Sequence, residues 1–303
     1  DPLWRNYHHD TLTFSMVYAF SENFMLPISH DEVVYGKGSL INKMPGGYDQ
    51  KFQGVRGFIS YMMAHPGKKL MFMGSEIGQF DEWNANEELQ WNLLSYDKHR
   101  QLNDFFKAAN KFYRDTPAMH ENDYDWNGFQ WVALDDYQNS VIAFRRIAND
   151  GSEILVVCNF QPVTREFYRV GAPVYGIYEE VFNSESEEFG GCGIKNAGDL
   201  KTKNEKDHEL DYTLELTLPP LGVCYYRLKE ALPVPKKRVV KKKKEEGEAA
   251  AKKPAAKKPA KKAAAKKAPA KKAAASTKKA AEMLVALGVT KTVTKMYWPA
   301  HAA

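Results

Sequence analysis

The chain has 303 residues, 44% hydrophobic and 13% aromatic, enough to bury a real core and to hold two ordinary domains. No apolar run reaches the roughly 18 residues of a membrane span, and the opening DPLWRNYHHD lacks a basic-then-apolar leader pattern. The net charge of +5 averages two unlike pieces: residues 236–279 hold 19 Lys and Arg against 3 Glu, whereas residues 1–235 carry −12. Three distant cysteines, Cys158, Cys192 and Cys224, form no Cys-x-x-Cys pair. That spacing argues against a disulfide framework or a cysteine zinc site and fits a reducing cytoplasm.

Taken in chain order, Leu12–Phe20 is apolar with aromatics and reads as helix. His8, His9 and Asp10 just before it form a helix entry rather than a metal cluster. Within Asn23–Ser39 (NFMLPISHDEVVYGKGS), a short apolar run at 24–28 broken by Pro27 suits a core strand. It stops at Ser29, His30, Asp31 and Glu32. Ionisable groups at a strand's C-terminal end are what a parallel α/β barrel presents to substrate. The Gly- and Lys-rich stretch Val33–Asp49 suits a loop beside such a site. Gln50–Ala64 has the spacing of an amphipathic helix, stopped by His65-Pro66-Gly67. Lys69–Met73 is a second strand, followed by a polar loop, and residues 99–115 form a second amphipathic helix ending near Pro117. Residues 24–115 therefore read as two βα units of a parallel sheet, too few to close a barrel of about eight strands. Alone, the two units leave apolar strand faces uncovered, so residues 24–73 are expected to pack poorly beside a stable 129–228.

From Tyr124 the period changes. Seven short β-type runs (FQWVAL, SVIAFRRI, EILVVCNF, TREFYRV, VYGIYEEVF, YTLELTL and GVCYYRL) are separated by turn signals, which predicts an antiparallel sandwich. Glu187–Lys206 reads as a loop. Beyond Pro235 the Lys/Ala/Pro repeat cannot bury enough surface to offset ordering entropy and is expected to be disordered. The domain plan is thus 1–120, 121–230, a tail at 231–279, and an unassigned 280–303. The fold class is α/β plus all-β.

The string LPISHDEVVYGKGSLINKMPG, then QKF and Arg56, then HPGKKLMFMGSEIGQFDEWN, resembles the glycogen (1,4-α-glucan) branching enzymes of the α-amylase-type superfamily. The resemblance runs from about Asp1 to about Leu228. It implies a (β/α)8 barrel of which only the last two βα units are present, with Met25–Ile28 matching the seventh strand and Lys69–Met73 the eighth. An all-β domain follows. Family chemistry uses a carboxylate nucleophile and a carboxylic acid ~5 Å apart, flanking the scissile bond. In the family these lie on the fourth and fifth strands, which this chain lacks.

By the same resemblance, Asp31 hydrogen-bonds sugar hydroxyls where the bond breaks, with His30 beside it, stabilising the transition state. Lys37, Glu76, Gln79, Trp83, Asn84 and Trp91 would line the glucan site. Tyr35 departs from the family, in which many relatives carry His. The implied activity is transfer of α-1,4-glucan to form α-1,6 branches in glycogen biosynthesis, by a chain that is inactive in isolation. It needs no cofactor and no metal. The alternatives are a non-catalytic glucan-binding remnant, another amylase-type activity, and a nucleic-acid- or polyanion-binding protein acting through residues 236–279. The GKGSLINKMPG loop favours branching. No membrane partner is expected.

Overall fold

The structure, a computed structural model, describes residues 1–235. The expected disorder and polyanion contact of 236–279, and the unassigned 280–303, lie outside the described residues. The chain enters through a 3-10 turn at Pro2–His8 and a short helix α1 (Asp10–Phe14), continuing as 3-10 over Ser15–Val17. Strand β1 (Met25–Ile28) pairs in parallel with β2 (Lys68–Met71), Met25 opposite Lys68 and Ile28 opposite Met71. Between them runs α2 (Tyr48–Ala64).

Both ends of α2 follow from its sequence. Gln50 Oε1 accepts from Gly47 N–H (2.6 Å) at the start. At the end, Pro66 forces His65 into an extended backbone, and Gly67 (φ +107°) then turns the chain toward β2. A Cβ at Gly67 would meet Phe24 O at 3.1 Å, so the tight β1–β2 approach requires glycine there. Helix α3 (Asp97–Asp115) buries Leu102, Phe105, Phe106 and Ala109 and stops before Pro117.

The seven predicted β runs are all strands: β3 (Phe129–Asp136), β4 (Val141–Ile147), β5 (Glu153–Asn159), β6 (Arg165–Ala172), β7 (Gly176–Asn183), β9 (Tyr212–Leu218) and β10 (Val223–Ala231). A two-residue β8 (Leu200–Lys201) adds to them from within the expected loop. They form an antiparallel six-stranded sheet, β3-β4-β5-β10-β7-β8, and a separate β6-β9 pair. Strand β10 runs to Ala231, and Leu232 N–H still donates to Tyr175 O (2.8 Å), so the sheet extends past the expected tail boundary.

Alternation explains why the central strands are almost wholly apolar. Ile142, Phe144, Val156, Cys158, Val223 and Tyr225 face α2 and α3. Their chain neighbours Val141, Ala143, Leu155, Val157, Cys224 and Tyr226 face Val170, Leu214 and Leu216 of the β6-β9 pair. The sheet is therefore covered on both sides, by helices and by the β6-β9 pair. The helix-side core crosses residue 120, where the two expected domains meet, and the described residues belong to one compact unit.

Charged groups join these layers. Arg146 on β4 is fully buried and donates to Ala64 O (2.8 Å), Gly128 O (3.1 Å) and Asp123 Oδ1 (2.7 Å). Lys68 reaches the other oxygen of Asp123 (2.9 Å). Burial alone would push the Asp123 carboxyl up, but Arg146, Lys69 and Lys68 outweigh it and hold it below the usual carboxylate range. On the opposite flank, Arg56 of α2 donates to Glu185 Oε1 (2.8 Å) and Ser184 O (2.9 Å). Gln53 bridges Glu185 (3.0 Å) and Pro220 O (2.8 Å). Helix and sheet approach so closely that a Cβ at Gly57 would lie 2.5 Å from Leu221 O.

Asp123→Asn leaves a buried guanidinium without its counter-charge and should cost about 3–5 kcal/mol, read from urea unfolding. The exposed Asp104–Lys107 pair, removed by Asp104→Asn, should barely move the midpoint. Buried His65 accepts from Ser15 Oγ (2.8 Å) and donates to Pro66 O (2.8 Å), the pattern of a neutral ring. Burial, with Lys69 and Arg146 nearby, lowers its pKa to about 4. The unfolded ring takes up a proton near the ordinary histidine value of 6.5 while the native ring does not. Stability should therefore be lost as pH falls from about 6.5 toward 4. Thermal midpoints across that window should fall less steeply for His65→Asn; parallel curves would contradict the assignment.

Candidate functional site

The C-terminal ends of β1 and β2 lie side by side because the strands are parallel and in register. At the end of β1, Ser29 is extended and its Oγ accepts from Asp31 N–H (3.3 Å), starting a 3-10 turn over His30–Glu32. His30 Nε2 lies 3.3 Å from Asp31 Oδ1, and both side chains are open to water, at 53% and 76% exposure. Glu32 is turned to Lys43 Nζ (3.4 Å), so the adjacent carboxylates do not form a catalytic pair.

The end of β2 supplies the aromatic side of the site. Phe72 and Trp83 meet edge to face at 5.0 Å, and the His30 ring lies 6.1 Å from each. Trp83 N–H donates to Val33 O (2.8 Å), tying the loop after β2 to the turn after β1. The second tie is Glu82, which the sequence reading did not single out. Its carboxylate accepts from Gly36 N–H (3.0 Å) and Gly38 N–H (2.7 Å), both glycines at positive φ. Two glycines one residue apart can aim their N–H groups at one anion. That signal lies in GKG, but its partner sits 44 residues away. Ser39 Oγ and Asn42 Nδ2 also donate to Phe80 O (2.9 and 2.6 Å).

His30, Asp31 and Trp83 are thus brought together. Gln79 shares a small space with Trp83, Val33 and Ser39, and its Oε1 accepts from Gln90 N–H (3.2 Å). That space is ≈ 10 Å³, room for about one water and no sugar. Lys37 is exposed on its loop, Asn84 closes a local turn by accepting from Asn86 N–H (3.0 Å), and Trp91 is exposed in a 3-10 turn. Glu76 sits in the Ser75–Ile77 turn. None of these four shares a hydrogen bond or ring contact with the His30–Asp31 pair. Among the described residues no group of His, Cys, Asp and Glu could hold a metal ion. Nor is any helix among them long and apolar enough to cross a membrane. At the helix entry, His9 is buried against Leu134 O (3.0 Å).

What the arrangement offers is an exposed carboxylate and an imidazole that can bond hydroxyl groups, with an indole edge alongside. An ionised carboxylate there favours positive charge developing beside it, and the imidazole can donate to a hydroxyl.

Residues 131–229 match the family described as alpha amylase, C-terminal all-beta domain. Over 228 residues the chain is 52% identical to the 1,4-alpha-glucan branching enzyme GlgB of Aquifex aeolicus, covering 75% of this chain and 36% of that protein. To the Halothermothrix orenii protein of the same name it is 48% identical over 228 residues, with the same shares. The crystal structure of alpha-amylase from H. orenii aligns at a TM-score of 0.37 and 16% identity, over 60% of this chain and 37% of that one. The chain spans about a third of the length of the curated relatives it matches. Over three quarters of its own length it is a relative of the 1,4-α-glucan branching enzymes, with an amylase-type all-β domain.

Proposed function

We propose that the described residues supply the sugar-contacting edge of a glucan branching site, in which a stretch of α-1,4-glucan is moved onto a 6-hydroxyl. Asp31 accepts hydrogen bonds from sugar hydroxyls and stabilises the ring as it gains positive charge. His30 orients the same sugar, and Trp83 offers an apolar edge. Lys37, Glu76, Gln79, Asn84 and Trp91 would meet more distant sugar units. The observation that carries this reading is the exposed His30–Asp31 pair beside Trp83, at the C-terminal ends of two parallel strands, within a segment 52% identical to a branching enzyme.

The carboxylates that break and remake the glycosidic bond would come from protein outside these residues, in a barrel of which β1-α2-β2-α3 are the last two units. The 303-residue chain alone should therefore leave the iodine staining of amylose unchanged. A chimaera joining it to the part of the A. aeolicus relative that it does not match should branch amylose. In that chimaera Asp31→Ala should lower the rate by about 10²-fold or more, with the melting temperature retained. A chimaera whose Asp31→Ala variant keeps the parental rate would contradict the role given to Asp31.

A further inference from the structure

On the β6-β9 pair, three independent oddities fall in one place. A groove of ≈ 590 Å³ is lined by Asp136, Arg165, Glu166, Phe167, Arg169 and His208, among others. This pair covers the face of the six-stranded sheet opposite α2 and α3, so the groove is separated from His30 and Asp31 by the sheet.

The first oddity is backbone strain. Five non-glycine residues among those described have positive φ: Ser140, Phe167, His208, Glu209 and Leu221. Phe167 and His208 line the groove, and Ser140 and Glu209 adjoin its lining residues Asn139 and His208. A bulky aromatic at φ 56° is a true outlier. Phe167 sits where the β6-β9 register slips between Arg165 and Tyr168. The strain does not hide the ring, which is 72% exposed. Stability alone would favour neither the backbone nor the exposure.

The second is a pair of buried polar atoms without hydrogen-bond partners, Arg165 Nε and His208 Nδ1. The latter is 2.9 Å from Asp207 Oδ1 but lacks the alignment of a hydrogen bond. Orphan groups of this kind call for a ligand or a functional reason. The third is that the other polar groups are already oriented. Tyr168 OH donates to Asp136 Oδ2 (2.8 Å), and Asn139 Nδ2 donates to both Asp136 oxygens (3.0 and 2.9 Å). Asp207 (3.1 Å) and Glu205 (2.9 Å) hold the Arg169 guanidinium.

The lining charges nearly balance, which disfavours a polyanion. A presented ring face and fixed carboxylate and guanidinium groups fit a neutral chain with apolar ring faces and hydroxyl edges. We propose that this groove is a second α-glucan site, in which Phe167 stacks on a sugar ring and Asp136, Arg165, Glu166 and His208 bond its hydroxyls. The choice of α-glucan rests on the branching reading above. The groove holds a length of chain without reacting with it.

The test is calorimetric titration of the 303-residue chain with maltoheptaose. Asn tolerates the left-handed backbone, so Phe167→Asn removes the ring and keeps the turn. It should weaken binding about tenfold or more, with an unchanged or higher melting temperature. Glu166→Ala, an exposed change, should weaken binding about threefold without altering melting. Parental affinity in both variants, or no maltoheptaose binding by the parent, would each overturn the proposal. Affinity lost only in Trp83→Ala would overturn the groove and leave the branching site standing. Weakened binding in Phe167→Asn, beside a chimaera indifferent to Asp31→Ala, would support the groove and overturn the catalytic reading alone.

Discussion

The Arg146 guanidinium satisfies the last carbonyl of α2, the Gly128 carbonyl and the Asp123 carboxylate from a position with no access to water. A helix end leaves its final carbonyls unpaired, and burying them without donors is costly. Arg146 meets that need from the sheet, while Arg56, Gln53 and the Tyr225 hydroxyl, donating to Ser60 O at 2.5 Å, hold the rest of α2. The placement of the site follows from this helix. The His65–Gly67 turn leads directly into β2, β2 sets β1 by parallel pairing, and β1 ends at His30 and Asp31. A change at Arg146 or Asp123 would thus reach the site without touching it.

The elements with strong local signals were legible in the sequence. Helices α2 and α3 stop at Pro66 and Pro117, and the seven β runs lie between turn signals. The sheet order was not legible, because placing β10 between β5 and β7 depends on contacts far apart in sequence. Strand β8 has two residues and no period to detect. The burial of Arg146 was not legible in SVIAFRRI, since nothing local announces Asp123 or the end of α2. Phe167 reads as an ordinary strand aromatic in TREFYRV, and its left-handed backbone emerges only with the β6-β9 slip.

The expectation of loose packing over 24–73 divides in two. Strands β1 and β2 are open, with Met25 and Leu70 exposed, as two parallel strands without neighbours must be. Helix α2 is the reverse: Phe52, Val55 and Ile59 are completely buried against the sheet and α3. For the site, His30, Asp31 and Trp83 came from motif and position together, while Glu82 came only from geometry. At His30 and Asp31 the described residues form an open edge rather than a cavity.

Helix α2 belongs to the same cooperative unit as the β-sheet and carries the strand edge that ends at His30 and Asp31. Native-state amide hydrogen exchange, resolved by residue, tests it directly. The amides of Phe52–Met63 should open together with those of β5 and β10, at the free energy of global unfolding, while those of Met25–Ile28 open well below it. Exchange of α2 at the low free energy of β1, with the sheet still protected, would mean that the helix opens independently of the sheet.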